Sequence, residues 1–212
     1  CELAVAARQA KDPSVNIAGS LPPLEESYRP DLVRSLDELL PRYREMVHLM
    51  SPYVDLFLCE TMSASTEALA AATAAAETGK PVWVGWTLDD YHPDLLKSGE
   101  SIAAAVETLE HLAVEGVLAN CCMPETIAAA IPFLVSTNKP YIGGYANTFF
   151  TPPPDWTLEE EGPLGLRDDL DPQPYAGFVL DWLASGANVV GGCCGTRPAH
   201  IAEIRRLLDT AS

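Results

Sequence analysis

The stretch YVDLFLCETMSASTEALAAATAAAETGKPVWVGWTL, Tyr53 to Leu88, decides the fold. Tyr53 to Glu60 is a short apolar run with β-branched and aromatic residues, which predicts a strand. Ser63 to Thr78 is rich in alanine and predicts a helix, with Ser63 or Ser65 as N-cap and Gly79 just past its end. Pro81 to Leu88 predicts a second strand. Strand, helix and strand in that order make a crossover unit, which joins parallel strands. Outward from this unit the alternation repeats. Upstream, Val15 to Ser20 predicts a strand and Asp31 to Met50 a helix, interrupted or kinked at Pro41. Downstream come a helix over Ser101 to Ala113, a strand over Gly116 to Cys121 and a helix over Pro124 to Val135. A strand over Pro140 to Tyr145 and a long irregular segment, Asn147 to Leu170, follow. A helix over Pro172 to Ser185, a strand over Ala187 to Gly192 and a helix over Arg197 to Leu208 end the chain.

Six strands each followed by a helix mean an α/β fold, either a doubly wound sheet or a (β/α)8 TIM-type barrel. No Gly-rich phosphate loop follows a strand, so a nucleotide-binding sheet gains no support. The barrel is the reading adopted, with six βα units visible, the third to the eighth. Cys1 is followed by residues that read as the end of a helix, so residues 1–212 are expected to be one barrel domain that is incomplete at its N-terminus. Open sheet edges of that kind make an oligomer of identical chains an expectation. Asn147 to Leu170, with Pro152, Pro153, Pro154, Glu159, Glu160 and Glu161, is either a lid over the C-terminal face or a solvated excursion.

Composition narrows the function. The 212 residues are 48% hydrophobic, enough for a core, and carry 13 Lys and Arg against 30 Asp and Glu, a net charge of −17. So acidic a surface repels nucleic acid and anionic membrane. No apolar run is long enough for a membrane span. The six cysteines, two pairs of them immediate neighbours, fit a reducing cytoplasm better than a disulfide scaffold.

The chemistry points to GGCCG, Gly191 to Gly195, directly after a strand, and to Asn120-Cys121 at the end of another. In a barrel all strand C-termini share one face, so Cys121 can meet Cys193 and Cys194 there. Three thiolates select zinc, and three protein ligands leave a position open, as in catalytic sites. Such a centre binds a fourth thiol and deprotonates it, which suggests thiol alkylation. Two rivals stand beside this reading: buried cysteines or a vicinal disulfide at Cys193 and Cys194, and a closed four-thiolate site that recruits Cys122. Cys59, Trp83 and Trp86 read as core, and His48, His111 and His200 as helix-surface residues.

IAGSLPP, DLFLCET, NCCMP and GGCCGTRPAHI, in this order from Ile17 to the C-terminus, resemble the zinc-dependent homocysteine S-methyltransferases. The resemblance implies a (β/α)8 barrel that moves a methyl group from a sulfonium-type donor, S-methylmethionine or S-adenosylmethionine, to homocysteine, giving methionine. It implies Cys121, Cys193 and Cys194 as ligands of Zn²⁺. It further implies Glu60 as partner of the substrate ammonium and Asn120, Tyr145 and Asn147 as substrate-pocket residues. The expected partners are thus small molecules, homocysteine and a methyl donor. Tyr145-Ala146-Asn147-Thr148-Phe149 departs from the family's Tyr-Pro-Asn-Ser-Gly, and the family's N-terminal Asp-Gly-Gly motif is not in the sequence. A betaine- or corrinoid-linked methyl transfer on the same site, and a non-catalytic zinc–thiolate protein, are the alternatives.

Overall fold

The computed structural model describes residues 1–151, 153 and 164–211. Six parallel strands, β1 (Ala18–Leu21), β2 (Leu56–Met62), β3 (Val82–Trp86), β4 (Val114–Asn120), β5 (Tyr141–Ala146) and β6 (Val189–Gly192), form one sheet in chain order. Among the described residues the α-helices are α1 (Glu2–Lys11), α2 (Leu36–Met50), α3 (Ser65–Ala76), α4 (Ile102–Glu107), α5 (Pro124–Val135), α6 (Pro172–Ala184) and α7 (Pro198–Ala211). Parallel crossovers are right-handed, so an order that never reverses keeps the helices on one face and the sheet curls around the other. The result is an α/β fold with a curled half-barrel of six strands.

Side-chain contacts report the curl directly. Strands two apart in the sheet lie about 10 Å from each other, yet the rings of Trp83 on β3 and Tyr141 on β5 are 4.6 Å apart between centroids. Gly116 on the intervening β4 makes this contact possible, because a Cβ there would sit 2.6 Å from the Trp83 ring. Higher on the same concave face, Tyr145 of β5 reaches Glu60 of β2, with 3.1 Å between its hydroxyl and Oε2.

The convex face carries the core. Phe57, Val82, Val84, Trp86, Val117 and Ile142 point under the helices and are buried. In α3, Ala68, Ala70, Ala71, Ala72, Ala74 and Ala75 are all buried, since the helix packs on β2 and β3 and also against α2. Alanine on every side lets three layers approach closely, and no single apolar stripe is needed. Among the described residues, no helix is long and apolar enough to cross a membrane.

Several element boundaries differ from expectation for local reasons. Pro41 neither breaks nor starts a helix: α2 begins at Leu36 behind a Ser35–Glu38 capping box and continues through it. The N-cap of α3 is Ala64, not a serine. The first-turn N–H of Ser65 is held by the Glu100 carboxylate at 3.0 Å, and Ser63 bonds Glu67. The helix expected over Ser101 to Ala113 is regular only to Glu107, and β4 begins two residues early, at Val114.

Histidine 200 is the clearest correction. Instead of lying on the helix surface it is buried, with Nδ1 accepting from the Arg197 N–H at 3.0 Å and Nε2 3.0 Å from the Leu170 carbonyl. It packs edge-on against Tyr175, whose hydroxyl bonds the carbonyls of Ala146 and Gly191 at 3.1 and 2.9 Å. This pair fastens the ends of β5 and β6 together below the cysteine loop. Helical spacing reveals which face of a helix a histidine occupies, but not that a loop folds over that face.

Candidate metal centre

Three strand ends build the site. Beyond β4 the backbone turns left-handed at Cys121, φ 54°. In a regular strand Cys121 would point opposite to Asn120; the turn instead brings its sulfur over the concave face. Cys122 is sent the other way, into the apolar core, where it is fully buried and its thiol is pushed up by desolvation. The closed four-thiolate arrangement is therefore not formed. Beyond β6, the Cys193 N–H continues the ladder to the Ala146 carbonyl at 2.8 Å, and the Cys194 carbonyl accepts from the Thr148 N–H at 2.9 Å. Gly195 then turns with φ 80°; a Cβ at this position would lie 2.0 Å from the Thr148 hydroxyl, so glycine is required.

These turns bring Cys121, Cys193 and Cys194 together as free thiols, their sulfurs all within 4.8 Å of one another. The separations are 3.1 Å for Cys121–Cys193, 3.7 Å for Cys121–Cys194 and 4.0 Å for Cys193–Cys194. Thiolates on a tetrahedral zinc with ~2.3 Å bonds stand about 3.8 Å apart, so the trio fits such an ion with small adjustments. The sulfurs are also polarised against one another. Cys194 is drawn down to about 3 by thiol hydrogen bonds from Cys121 and Cys193, whereas Cys193 is pushed up by its bonds to Cys121 and Cys194. Among the described residues the trio is the one group of His, Cys, Asp and Glu donors close enough to hold a metal ion.

The sulfurs open onto a cavity of about 410 Å³, lined also by Glu60, Thr61, Tyr28, Asn147, Asp90 and Lys97. Its apolar wall includes Pro22, Pro23, Phe149 and Leu164. Glu60 accepts from the Ser20 hydroxyl at 2.5 Å and from the Tyr145 hydroxyl at 3.1 Å, so each carboxylate oxygen is fixed. Tyr145 is itself half-buried, and desolvation, with the Glu60 charge second, holds its phenol well above the usual range. Asn120 is fully buried and is not among the lining residues. Its Oδ1 accepts from the Thr61 N–H and its Nδ2 donates to the Thr61 hydroxyl, both at 2.9 Å. Thr61 needs that support, because its φ of 62° forms a bulge in β2 that turns Glu60 and Thr61 toward the cavity. Asn147 lines the cavity, with Oδ1 accepting from the Phe149 N–H at 3.1 Å.

Sequence reasoning missed Tyr28, Thr61, Asp90 and Lys97. Asp90 is anchored by the Met123 N–H at 2.9 Å and the Thr126 hydroxyl at 2.7 Å; its other oxygen faces Lys97 Nζ at 3.7 Å. Lys97 is the sole Lys or Arg among the described lining residues. Among the described residues, three of the four non-glycine residues with positive φ, Tyr28, Thr61 and Cys121, line this cavity, which is where strained backbone tends to collect. The base of the long segment after β5 is closed by an antiparallel bridge between Phe149 and Leu166. Residues 152 and 154–163, on which the lid reading depends, lie outside the described residues.

Comparison with known proteins gives a consistent picture. The profile of the family described as homocysteine S-methyltransferase matches residues 1–208. Methionine synthase of Mycobacterium leprae (strain TN) is 30% identical over 139 residues, covering 64% of this chain and 11% of that protein. The metallated crystal form of the homocysteine methyltransferase MmuM from Escherichia coli superposes with a TM-score of 0.76 at 25% identity, over 97% of this chain and 67% of that one. The apo form gives 0.73 at 25% identity, over 97% of this chain and 69% of that one. The chain thus spans about two thirds of the solved relatives and about a tenth of the methionine synthase.

Proposed function

The chain belongs to the homocysteine S-methyltransferase family, and from that premise we propose that its cavity transfers a methyl group from a sulfonium donor to the sulfur of homocysteine. The six units would be part of a (β/α)8 barrel in which Cys121, Cys193 and Cys194 hold one zinc ion. The observation that carries the reading is the convergence of three thiols from two strand ends, within 4.8 Å, at the floor of a cavity. Zinc held there would keep a substrate thiol deprotonated at neutral pH.

The protein's own residues would do the rest. Glu60, with both oxygens fixed by Ser20 and Tyr145, would bind the substrate ammonium. Lys97 would meet a substrate carboxylate, its place kept by Asp90. Asn120 would act through Thr61, keeping the β2 bulge that turns Glu60 inward. Asn147 would shape the wall by fixing the turn to Phe149. Pro22, Pro23, Phe149 and Leu164 would exclude water from the reacting sulfur atoms. In the step itself one sulfur–carbon bond of the donor breaks as the homocysteine sulfur forms a new one. The sulfonium becomes a neutral thioether, the thiol proton goes to solvent, and nothing is oxidised or reduced. A positively charged donor suits a cavity lined by Glu60 and Asp90 in a protein of charge −17.

The test is methionine formation from homocysteine with S-methylmethionine or S-adenosylmethionine, by the parent and by Cys194→Ser. Zinc-dependent turnover in the parent, lost in the variant, supports the mechanism; undiminished turnover in the variant overturns it.

A further inference from the structure

Tyr28 is part of none of the motifs, yet its hydroxyl lies 2.8 Å from Cys121 Sγ. It reaches that sulfur from the loop after β1, which is held over the cavity mouth at several points. Glu25 takes Arg34 at 2.8 Å and Arg42 at 2.7 Å, and the Tyr43 hydroxyl donates to the Pro22 carbonyl at 3.0 Å. The Tyr28 backbone itself is left-handed, φ 69°, a conformation that bulky residues rarely adopt. A loop clamped this firmly around a strained tyrosine holds its ring in one place, and the ring ends on a sulfur.

We infer that Tyr28 is a positioning residue of the metal centre: its hydroxyl donates a hydrogen bond to the Cys121 thiolate, fixing that sulfur and drawing off part of its charge. The inference rests on the proposal that Cys121 is a zinc ligand. A phenol carries its proton at neutral pH and a thiolate has none to give, so the donor is fixed as Tyr28. The benefit is electrostatic. Three thiolates on a divalent ion leave a net charge of −1, and a substrate thiolate added to them makes it −2. Each hydrogen bond given to a ligand sulfur spreads that charge and orients the ligand.

The experiment compares parent and Tyr28→Phe, which keeps the ring and removes only the donor. Zinc affinity is measured by competition with a chromophoric chelator. The thiolate-to-metal charge-transfer band is recorded after cobalt(II) substitution, with circular dichroism to check folding. Loss of the donor should weaken zinc affinity by about tenfold or more, as is typical when a metal ligand loses its supporting contact, and should shift the cobalt band. An unchanged affinity with an unchanged band in a zinc-binding parent overturns the role of Tyr28 and leaves the metal centre standing. A parent that binds no zinc overturns the metal centre, and the inference with it. If Tyr28→Phe does not fold, Glu25→Gln loosens the clamp while keeping the tyrosine. It should move the cobalt band in a zinc-competent protein, and an unmoved band counts against the inference.

Discussion

A single methyl group added at Gly85 should disable the substrate pocket while sparing the metal ligands. Gly85 lies on the concave face of β3, and a Cβ built there falls 2.7 Å from Asn120 Oδ1 and 2.9 Å from the Tyr145 hydroxyl. Neither atom can retreat freely. Asn120 is fully buried and bonds Thr61 twice at 2.9 Å; Tyr145 bonds Glu60 at 3.1 Å. Overpacking of this sort costs about 1–3 kcal/mol, and each neutral hydrogen bond lost adds about 1 kcal/mol. Gly85→Ala should therefore destabilise the fold by about 2–4 kcal/mol in urea unfolding. An alanine that met no obstacle would instead stabilise the strand by roughly 0.5 kcal/mol or more, so the sign of the change is diagnostic. Glu60 and Thr61 should lose their orientation, weakening homocysteine binding in calorimetry by about tenfold, the equivalent of ~1.4 kcal/mol. Zinc content should stay at the parent value, because the three atoms nearest the new methyl belong to Asn120 and Tyr145 and not to a cysteine. A variant as stable as the parent, binding homocysteine equally well, would refute the account of Asn120 and Tyr145 as supports of the pocket.

Other perturbations separate the remaining parts of the account. Cys122→Ala should keep the zinc stoichiometry of the parent while lowering stability by about 1 kcal/mol, since its sulfur fills core and not the metal centre; loss of zinc on elemental analysis would restore the four-thiolate reading. Lys97→Met should raise the KM for whichever substrate presents its carboxylate there, and leave a decarboxylated analogue of that substrate unaffected; equal losses for both would assign Lys97 to structure alone. Burial raises the Glu67 carboxyl above its usual range, with its bonds from Ser63 opposing. The folded protein then holds that proton more tightly than the unfolded chain. Its stabilising effect is complete below the ordinary glutamate value and is lost as pH rises through the raised one. Glu67→Gln should remove this decline, so its stability relative to the parent should grow as pH rises above the ordinary glutamate value of 4.5. A constant difference over that range in denaturant titrations would contradict the burial argument.

What could be read in the sequence follows from the range of the interactions involved. The βα alternation is local, so Tyr53 to Leu88 revealed parallel strands, and monotonic alternation pointed to a curled sheet. The meeting of Cys121 with Cys193 and Cys194 was legible because a barrel gathers every strand C-terminus on one face, whatever the separation along the chain. Cys122 could not be assigned from spacing. Its direction depends on one left-handed residue, Cys121, that no periodicity announces. The same holds for Thr61, whose bulge moves Glu60 from the middle of β2 into the cavity. Tyr28 was invisible because its partner lies 93 residues away and is reached through a loop with no regular pattern. Asn120 was noticed for its position beside a ligand, but its work on Thr61 emerges only when β2 and β4 curl over the same space.

The central claim is that three thiols distant in sequence form one metal centre, and it is tested most directly by weighing the metal. Protein purified under reducing conditions without added metal should contain about one zinc per chain, with about three sulfur neighbours at ~2.3 Å by X-ray absorption and a fourth when homocysteine is added. Protein that contains no zinc and takes up none on addition, with all thiols verified as reduced, would contradict the account.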